Sequence, residues 1–275
     1  MSQPQTLKPQ EENDLRKIYE LFQRNFKLFV VSVVIALGVA FVINRYSIPV
    51  YKVSSSVIIK ENKTQQSGGD VNDFLNSSLF GKNQNFQNEL WVMKSSPVLE
   101  QTIRNLDLSV NYYSRERFHY RDAYHDIPFR VYFLTNHPQP VSVKFELTLL
   151  AKGYFQLKAT SGKTTFFNFE TEQVTHKKDG WNYVKNSKFG ELIETEDLAF
   201  IIKQDSTKRI FNGKTPRYGF EFKTNASLSN EIKNNLSFNV VDKLATVIEI
   251  SLKSESLNKG IDMVNELMNV YSDQN

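Results

Sequence analysis

The sequence has 275 residues, enough for one or two domains, and it contains no cysteine. Disulfides, thiolate metal ligands and a cysteine nucleophile are therefore excluded. Its 34 Lys and Arg residues and 30 Asp and Glu residues are spread along the chain, and the net charge of +4 is too balanced to indicate a nucleic-acid partner. The aromatic share of 13%, with 11 Gly and 8 Pro, excludes collagen-like and low-complexity classes.

An uncharged apolar run near the N-terminus extends from Leu28 to Ile43, with Lys27 and Arg45 on either side. The long stems of Lys and Arg can extend to the membrane surface and lengthen the effective span. We predict a transmembrane helix over residues 28–46. A cleaved signal peptide is the rival interpretation, but no small-x-small cleavage pattern follows the run. A buried core helix is disfavoured because the run is apolar on all sides.

The tail before this run, residues 1–27, is basic and carries apolar residues at helical spacing. These are Leu15, Ile18, Tyr19, Phe22 and Phe26. The spacing predicts an amphipathic helix at the membrane interface, or an extension of the spanning helix. Positive charges are nearly equal on the two sides of the run, so charge alone does not orient it. A short basic tail is the more natural cytoplasmic end, and the long downstream part would then be translocated.

After the apolar run the periodicity becomes that of a half-buried strand. The alternating positions are Tyr51, Val53, Ser55, Val57 and Ile59. Residues 61–85 are polar and predict a loop or a short helix around residues 74–79. Two helices follow, the first with Phe86, Leu90 and Met93 on one face. The second has Ser96 as its N-cap and Pro97 in its first turn, with Leu99, Ile103 and Leu106 facing inward.

Residues 127–224 predict an all-β region of about a hundred residues, because short β-branched or aromatic runs alternate with turn signals. The turn signals are Lys152-Gly153, Ser161-Gly162 and Asp179-Gly180. The number and spacing of the strands favour a β-sandwich-like insertion. The chain then returns to α/β patterning, with a strand at residues 244–252 and an amphipathic helix from Leu257 to Tyr271.

The order of these segments is similar to that of a known protein family. The segments are the basic tail, the apolar run, Pro49-Val50-Tyr51 with the strand KVSSSVIIKE, the helical stretch FQNELWVMKSSPVLEQTIRNLDL, and the closing stretch LATVIEISLKSESLNKGIDMVNELMNVY. This set resembles the chain-length determinant (Wzz-type) family of polysaccharide co-polymerases. It resembles more narrowly the membrane-periplasmic part of bacterial tyrosine autokinases and exopolysaccharide transport proteins. The resemblance covers about residues 10–110 and 188–275.

The resemblance implies an α+β fold in which an N-terminal transmembrane helix precedes a periplasmic mixed α/β domain with a β-sandwich-like insertion. The strand after the span would pair with the late strand at residues 244–252. The expected divisions are a cytoplasmic tail at 1–27, the span at 28–46, the α/β domain at 47–112 with 231–275, and the insertion at 113–230. The family normally has a second span after a Pro-rich stretch. Neither is in this sequence, so we expect a longer natural protein or a single-span member.

The resemblance also implies a function without catalysis. Such proteins are anchored in the bacterial inner membrane as homo-oligomeric rings and regulate the chain length or export of a capsule, exopolysaccharide or O-antigen. The implied partners are membrane lipid, the polysaccharide, and its polymerase or export machinery. Two alternatives stay open: the regulatory half of a tyrosine autokinase whose catalytic domain lies beyond residue 275, and a periplasmic carbohydrate-binding sensor.

No segment of the sequence predicts an enzyme or a cofactor site. Gly162-Lys163-Thr164 imitates the end of a phosphate-binding loop, but Leu157 stands where that motif needs glycine. We therefore interpret these residues as a hairpin turn between two strands. No Ser-His-Asp set or glycosidase carboxylate pair can be selected without arbitrary choices.

The stretch from Tyr112 to Asp126 mixes aromatic and basic residues that could stack on sugar rings and pair with acidic groups. The candidates for glycan or partner contact are Tyr112, Tyr113, Arg115, Arg117, Tyr120 and Arg121. Packing of the aromatic rings against the insertion, with solvated arginines, is the simpler interpretation. A zinc site from His119, Asp122, His125 and Asp126 is a weak further alternative, because their spacing matches no specific ligand set.

Overall fold

The computed structural model describes residues 19–58, 82–115, 119–150, 153–208, 217–242 and 247–274, with the backbone alone at 82–87 and 240–242. Its helices are α1 (Phe26–Tyr46), α2 (Lys82–Met93), α3 (Ser96–Asn105), α4 (Asn225–Asn235) and α5 (Leu257–Gln274). Its strands are β1 (Tyr51–Ile58), β2 (Val110–Arg115), β3 (Tyr120–Asp122), β4 (Phe129–Phe133), β5 (Gln139–Val141), β6 (Phe145–Leu149), β7 (Tyr154–Asn168), β8 (Gln173–Lys188), β9 (Leu192–Thr195), β10 (Leu198–Gln204), β11 (Arg217–Phe222), β12 (Leu236–Asp242) and β13 (Val247–Ser254). The chain divides into two compact units, Met1–Ile48 and Pro49–Asn275.

The first unit contains the apolar helix α1. Its 21 residues span about 31 Å, close to the ~30 Å of a bilayer's hydrocarbon core. None of its side chains is buried, and its mean hydropathy reaches 2.7. Within the part of the chain that the structure describes, α1 is the helix long and apolar enough to cross a membrane. The predicted anchor ends, Leu28 and Ile43, both lie inside α1, and residues 19–24 before it are also helical.

In the second unit, a three-stranded antiparallel sheet in the order β1-β13-β12 forms the α/β part. Tyr51 pairs with Ser254 and Ile58 with Val247, which confirms the expected pairing of the strand after the span with the late strand. α4 and α5 pack on this sheet, α3 packs against α4 and α5, and together they bury an α/β core. Members of this core include Leu99, Ile103, Leu228, Ile250, Val264 and Leu267.

α5 lies close against β1 because Gly260 has no side chain. A Cβ atom at Gly260 would lie 2.8 Å from Cγ2 of Val53 and 3.2 Å from Cβ of Ser254. Real Cβ atoms do not approach neighbours this closely, so only glycine permits the observed separation. The sequence prediction of α5 is confirmed, and that of α3 is correct except that Ser95, not Ser96, is the N-cap.

The region between α3 and α4 folds as two sheets around a β core. One sheet has the order β4-β10-β9. In the other, β3, β2 and β11 are consecutive, β5 and β6 each pair with both β11 and β7, and β8 pairs with β7. Phe145 of β6 meets Phe200 of β10, with the ring centroids 5.7 Å apart, so the two sheets share one aromatic core. This agrees with the predicted sandwich-like region, and the mixed α+β class is confirmed. The predicted boundaries at 112/113 and 230/231 fall inside β2 and α4.

The carboxylate of Asp197, between β9 and β10, ties the β4-β10-β9 sheet to β8 of the other sheet. It accepts hydrogen bonds from Nζ of Lys178 at 2.6 Å, from Nε2 of His176 at 2.9 Å and from Nε1 of Trp181 at 3.3 Å. Burial alone would raise the pKa of Asp197, but the Lys178 and His176 donors outweigh burial and hold its pKa below the usual value. We call these four residues the Asp197 cluster.

The prediction of a hairpin turn at Gly162-Lys163-Thr164 is wrong. β7 continues through these residues, and β8 continues through Asp179-Gly180, which was also predicted as a turn. Ser161 pairs with Trp181 and Lys163 with Asp179, so Gly162 and Gly180 stand opposite each other in one long ladder. The chain reverses instead after Asn168, whose side-chain oxygen accepts backbone N–H bonds from residues 170 and 171.

Candidate functional site

Strand register divides the predicted aromatic-basic stretch between two faces of a sheet. Side chains alternate along β2, so Val110 and Tyr112 enter the β core. Asn111, Tyr113 and Arg115 occupy the alternate positions of the same strand. Their partners on the neighbouring strands are Glu221, Gly219 and Arg217 on β11, and Asp122 and Tyr120 on β3. The predicted candidates thus belong to two environments with different roles.

Tyr112 is a core residue, with 6% of its surface exposed. Its hydroxyl accepts a hydrogen bond from the backbone N–H of Val131 at 2.9 Å, and the guanidinium of Arg130 lies 5.2 Å from its ring centre. Burial raises the pKa of Tyr112. Tyr112 therefore packs inside the β core, as the simpler interpretation predicts.

Tyr113 is also buried, at 3% exposure, but its ring lies on the opposite side of the sheet over Gly219. Its hydroxyl donates to the carbonyl of Phe145 at 2.8 Å, and the ring meets Tyr120 edge-on at 4.9 Å. The ammonium of Lys144 lies 4.6 Å from the Tyr120 ring centre and 5.6 Å from that of Tyr113. The two tyrosines and Lys144 form one wall of a cavity.

Arg115 and Tyr120 share one carboxylate partner, Glu146 of β6. Nη1 of Arg115 lies 3.2 Å from Oε1 of Glu146, and the Tyr120 hydroxyl donates to the same oxygen. Burial, and then the hydrogen bond to Glu146, raise the pKa of Tyr120. Arg121 is half-buried and lines the cavity beside Tyr120. Arg117 lies outside the described residues.

The cavity, which we call the junction cavity, has a volume of about 500 Å³ and lies between the β core and the α/β core. Its floor is apolar, with Leu108, Leu228, Leu252 and Met263. Its walls come from β2, β3 and β11 on one side and from α4, α5 and the end of β13 on the other. Apolar floors with a few convergent polar groups are typical of ligand sites.

Lys259 of α5 connects the two walls. Its ammonium donates to Oδ2 of Asp122 at 2.6 Å and to Oδ1 of Asn111 at 2.9 Å. The side chains of Lys259 and Asp122 are only 17% and 13% exposed, so this ion pair is screened less than a surface pair. Asn111 continues the network by donating to Oε1 of Glu221 at 3.3 Å.

The network ends on α4 through Lys223. Its ammonium lies 2.7 Å from Oε2 of Glu231 and 3.5 Å from Oε1 of Glu221. Burial alone would lower the pKa of Lys223, but the carboxylates of Glu231 and Glu221 outweigh it and raise the pKa. Six residues, which we call the junction network, are therefore joined across the cavity. They are Asn111, Asp122, Glu221, Lys223, Glu231 and Lys259.

The sequence prediction included Asp122 only as a weak zinc candidate and missed the other five members of the junction network. Among the described residues, no three His, Cys, Asp or Glu side chains come together in a way that could hold a metal. Asp122 instead pairs with Lys259, which is 137 positions away in the sequence. Only the prediction that β3 and α5 approach each other could have pointed to this pair.

The chain thus combines a candidate membrane helix, an α+β body with a sandwich-like β region, and a polar cavity suited to binding. Residues 11–106 match the family described as Wzz, chain length determinant protein. This match confirms that residues 11–106 resemble the chain length determinant family. The matched residues include α1, β1, α2 and α3. No curated protein matches the chain.

Proposed function

We propose that this chain is a non-enzymatic polysaccharide co-polymerase that regulates the chain length or export of a bacterial surface polysaccharide. The family match at residues 11–106 carries the proposal, because it covers α1 together with the first strand and helices of the body. The junction network lies beside a cavity with polar lining residues, which agrees with a binding role.

In this proposal α1 anchors the chain in the inner membrane, with the tail in the cytoplasm and residues 49–275 in the periplasm. The chain assembles into a homo-oligomeric ring that contacts the polysaccharide and its polymerase or export machinery. A ring presents several copies of each weak contact at once, which raises effective affinity without a catalytic residue.

The experiment is gel electrophoresis of the surface and secreted polysaccharide from bacteria with the gene deleted and then restored. We expect deletion to collapse or shift the length distribution while sugar composition stays constant, and restoration to return it. Restoration with Leu37→Lys in the centre of α1 should fail, because a lysine there costs about 3 kcal/mol of membrane insertion. Leu37→Ala is the matched control. Unchanged length and amount after deletion would overturn the proposal.

The cysteine-free sequence gives a direct test of placement. Single cysteines at Lys185, exposed on β8, and at Tyr19, exposed before α1, can be treated with a membrane-impermeant maleimide in intact cells. We expect Lys185→Cys to react and Tyr19→Cys to react only after lysis. The opposite pattern would reverse the proposed orientation. Mass photometry of the full chain in detergent micelles would test the ring, and a monomer would contradict it.

A further inference from the structure

The junction cavity is lined by a buried carboxylate, that of Glu221. The carboxylate of Glu221 is 8% exposed, and its contacts to Asn111 and Lys223 are long, at 3.3 and 3.5 Å. A carboxylate has about four acceptor positions, so Glu221 retains capacity to accept hydrogen bonds from a ligand. Because the group is already buried and held in place, a ligand hydroxyl could bind it without reorganising the walls.

The charges that line the cavity are unevenly satisfied. Asp122 pairs with Lys259, and Glu231 pairs with Lys223. Lys144 and Lys253 are exposed lining residues, and within the described part of the chain neither has a carboxylate at ion-pair distance. Lys144 instead lies over the rings of Tyr113 and Tyr120. An anionic group on the ligand would therefore meet lysine ammoniums whose charge is available.

We propose that the junction cavity binds a saccharide unit that carries a carboxylate group. Sugar hydroxyls both donate and accept, and they match the mixed carboxylate, amide and ammonium groups around Glu221. The ligand's carboxylate pairs with Lys144 in a charge-assisted hydrogen bond. The volume of about 500 Å³ lies within the usual 300–1,000 Å³ of small-ligand pockets.

This inference rests on the proposed function, because it names the class of polysaccharide that the chain would contact. It assigns the contact to the cavity face of the sheet and not to the whole predicted aromatic-basic stretch. Of the predicted candidates, Tyr113, Tyr120 and Arg121 line the cavity, whereas Tyr112 does not.

The test is isothermal titration calorimetry of the full chain in nanodiscs with trigalacturonic acid, maltotriose and inorganic phosphate as separate probes. We expect trigalacturonic acid to bind at least tenfold more tightly than maltotriose, and phosphate to bind no more tightly than maltotriose. Lys144→Gln should reduce trigalacturonic acid affinity about tenfold. Lys185→Gln, an exposed lysine on β8, is the matched control and should leave the affinity unchanged.

Glu221→Gln provides an independent readout, because it removes acceptor capacity without removing a cation. We expect it to weaken trigalacturonic acid and maltotriose alike, whereas Lys144→Gln weakens only the former. Unchanged binding in Lys144→Gln, equally tight phosphate binding, or no binding of trigalacturonic acid at millimolar concentration would each overturn the inference. Thermal unfolding of Lys144→Gln, an exposed substitution, checks that the fold is intact.

The binding experiment and the deletion experiment test the two proposals separately. If Lys144→Gln loses affinity while gene deletion leaves polysaccharide length unchanged, the cavity is a saccharide site and the co-polymerase proposal is wrong. If deletion shifts the length distribution while trigalacturonic acid does not bind, the co-polymerase proposal stands and the cavity inference is wrong.

Discussion

At the scale of single residues, Tyr112 and Tyr113 show how one step along a strand changes the role of a side chain. Tyr112 supports the backbone of β4 through Val131, whereas Tyr113 covers Gly219 and borders the junction cavity. Both pKa values are raised by burial, so neither phenol ionises near neutral pH. Both residues therefore act through packing and hydrogen bonds and not through acid–base chemistry.

Gly219 is the residue that allows Tyr113 to take this position. A Cβ atom at Gly219 would lie 2.3 Å from both the carbonyl oxygen of Phe145 and Cε2 of Tyr113. We predict that Gly219→Ala displaces the Tyr113 ring and lowers the free energy of unfolding by about 1–3 kcal/mol, the usual cost of overpacking. Urea unfolding of the full chain in detergent micelles measures the change.

Gly162→Ala is the matched control for this substitution. Gly162 also lies inside a strand, but a Cβ atom there would meet nothing within 4 Å. We expect its stability to change by less than about 0.5 kcal/mol. Equal losses for the two variants would contradict the Tyr113 contact as the cause of the cost, because replacing glycine by alanine restricts the unfolded chain and by itself stabilises the fold.

The contribution of Asp197 to stability is predicted to depend on pH. Its folded-state pKa is lowered, so its contribution to stability is present above the ordinary aspartate pKa of 3.8 and is lost as the pH falls through the folded-state pKa. We predict that Asp197→Asn lowers the free energy of unfolding by about 2 kcal/mol at pH 7, from weakened charged hydrogen bonds. The gap to wild type should shrink as the pH falls from 4 to 2.

Trp181 lies in the Asp197 cluster, so its fluorescence in a Trp91→Phe background reports this region during urea unfolding. Asp179→Asn, an exposed aspartate on the same strand, is the control and should cost little at any pH. A gap between Asp197→Asn and wild type that stays constant down to pH 2 would contradict the assigned charge contribution.

At the scale of elements, the sequence predicted α1, α3, α5 and several strands, but it divided β7 into two short strands and placed a turn inside β8. The inward positions are Phe155, Leu157 and Ala159 before Gly162, and Thr164 and Phe166 after it. The alternation of buried and exposed positions therefore shifts by one residue at Gly162. In the sequence, this shift resembles a turn between two strands. Opposite Gly162, Gly180 takes a φ of 68° that few other residues adopt, so the ladder accommodates the shift without breaking.

The candidate site was harder to predict than the elements that carry it. Local patterning identified α5 but not β2 or β3, and it contains no information about which polar residues meet. Lys259 is 148 positions from Asn111 and 137 from Asp122. Such pairs follow from how α5 packs against the β region, which depends on the complete fold. By contrast, Tyr113, Tyr120 and Arg121 could be predicted as one group, because they are close in sequence.

The packing of α5 on β1 can be tested by substituting Gly260. We predict that Gly260→Ala lowers the free energy of unfolding by about 1–3 kcal/mol, because the new methyl group would overlap Cγ2 of Val53. Val53→Ala removes that methyl group, so the double variant should lose less than the sum of the two single losses. A double-mutant cycle by urea unfolding measures this coupling, and additive losses would contradict the contact.

At the scale of the second unit, the described chain contains two cores that meet at the junction network. The β core is rich in aromatic side chains, whereas the α/β core is mostly aliphatic. Polar residues separate them, and the pair of Asp122 and Lys259 is the shortest ionic contact between the two sides. The junction network therefore couples the two cores and also shapes the cavity that we propose as a saccharide site.

We predict that Lys259→Met weakens this coupling. The substitution leaves the poorly exposed carboxylate of Asp122 without its ammonium partner. We expect this to lower the free energy of unfolding by about 3 kcal/mol. Helical circular dichroism reports the α/β part, and Trp181 fluorescence in a Trp91→Phe background reports the β core. In the wild type we expect the two unfolding transitions of the full chain to coincide, as they do for a cooperative unit.

In Lys259→Met the two transitions should separate, since neither core then stabilises the other through the network. Adding Asp122→Asn to Lys259→Met removes the unpaired charge and should recover part of the lost stability, because the penalty of an unpaired buried carboxylate exceeds the net value of the pair. Lys185→Met, on the exposed edge of β8, controls for loss of a lysine. Coincident and unshifted transitions in Lys259→Met would show that apolar contacts, and not the junction network, hold the two cores together.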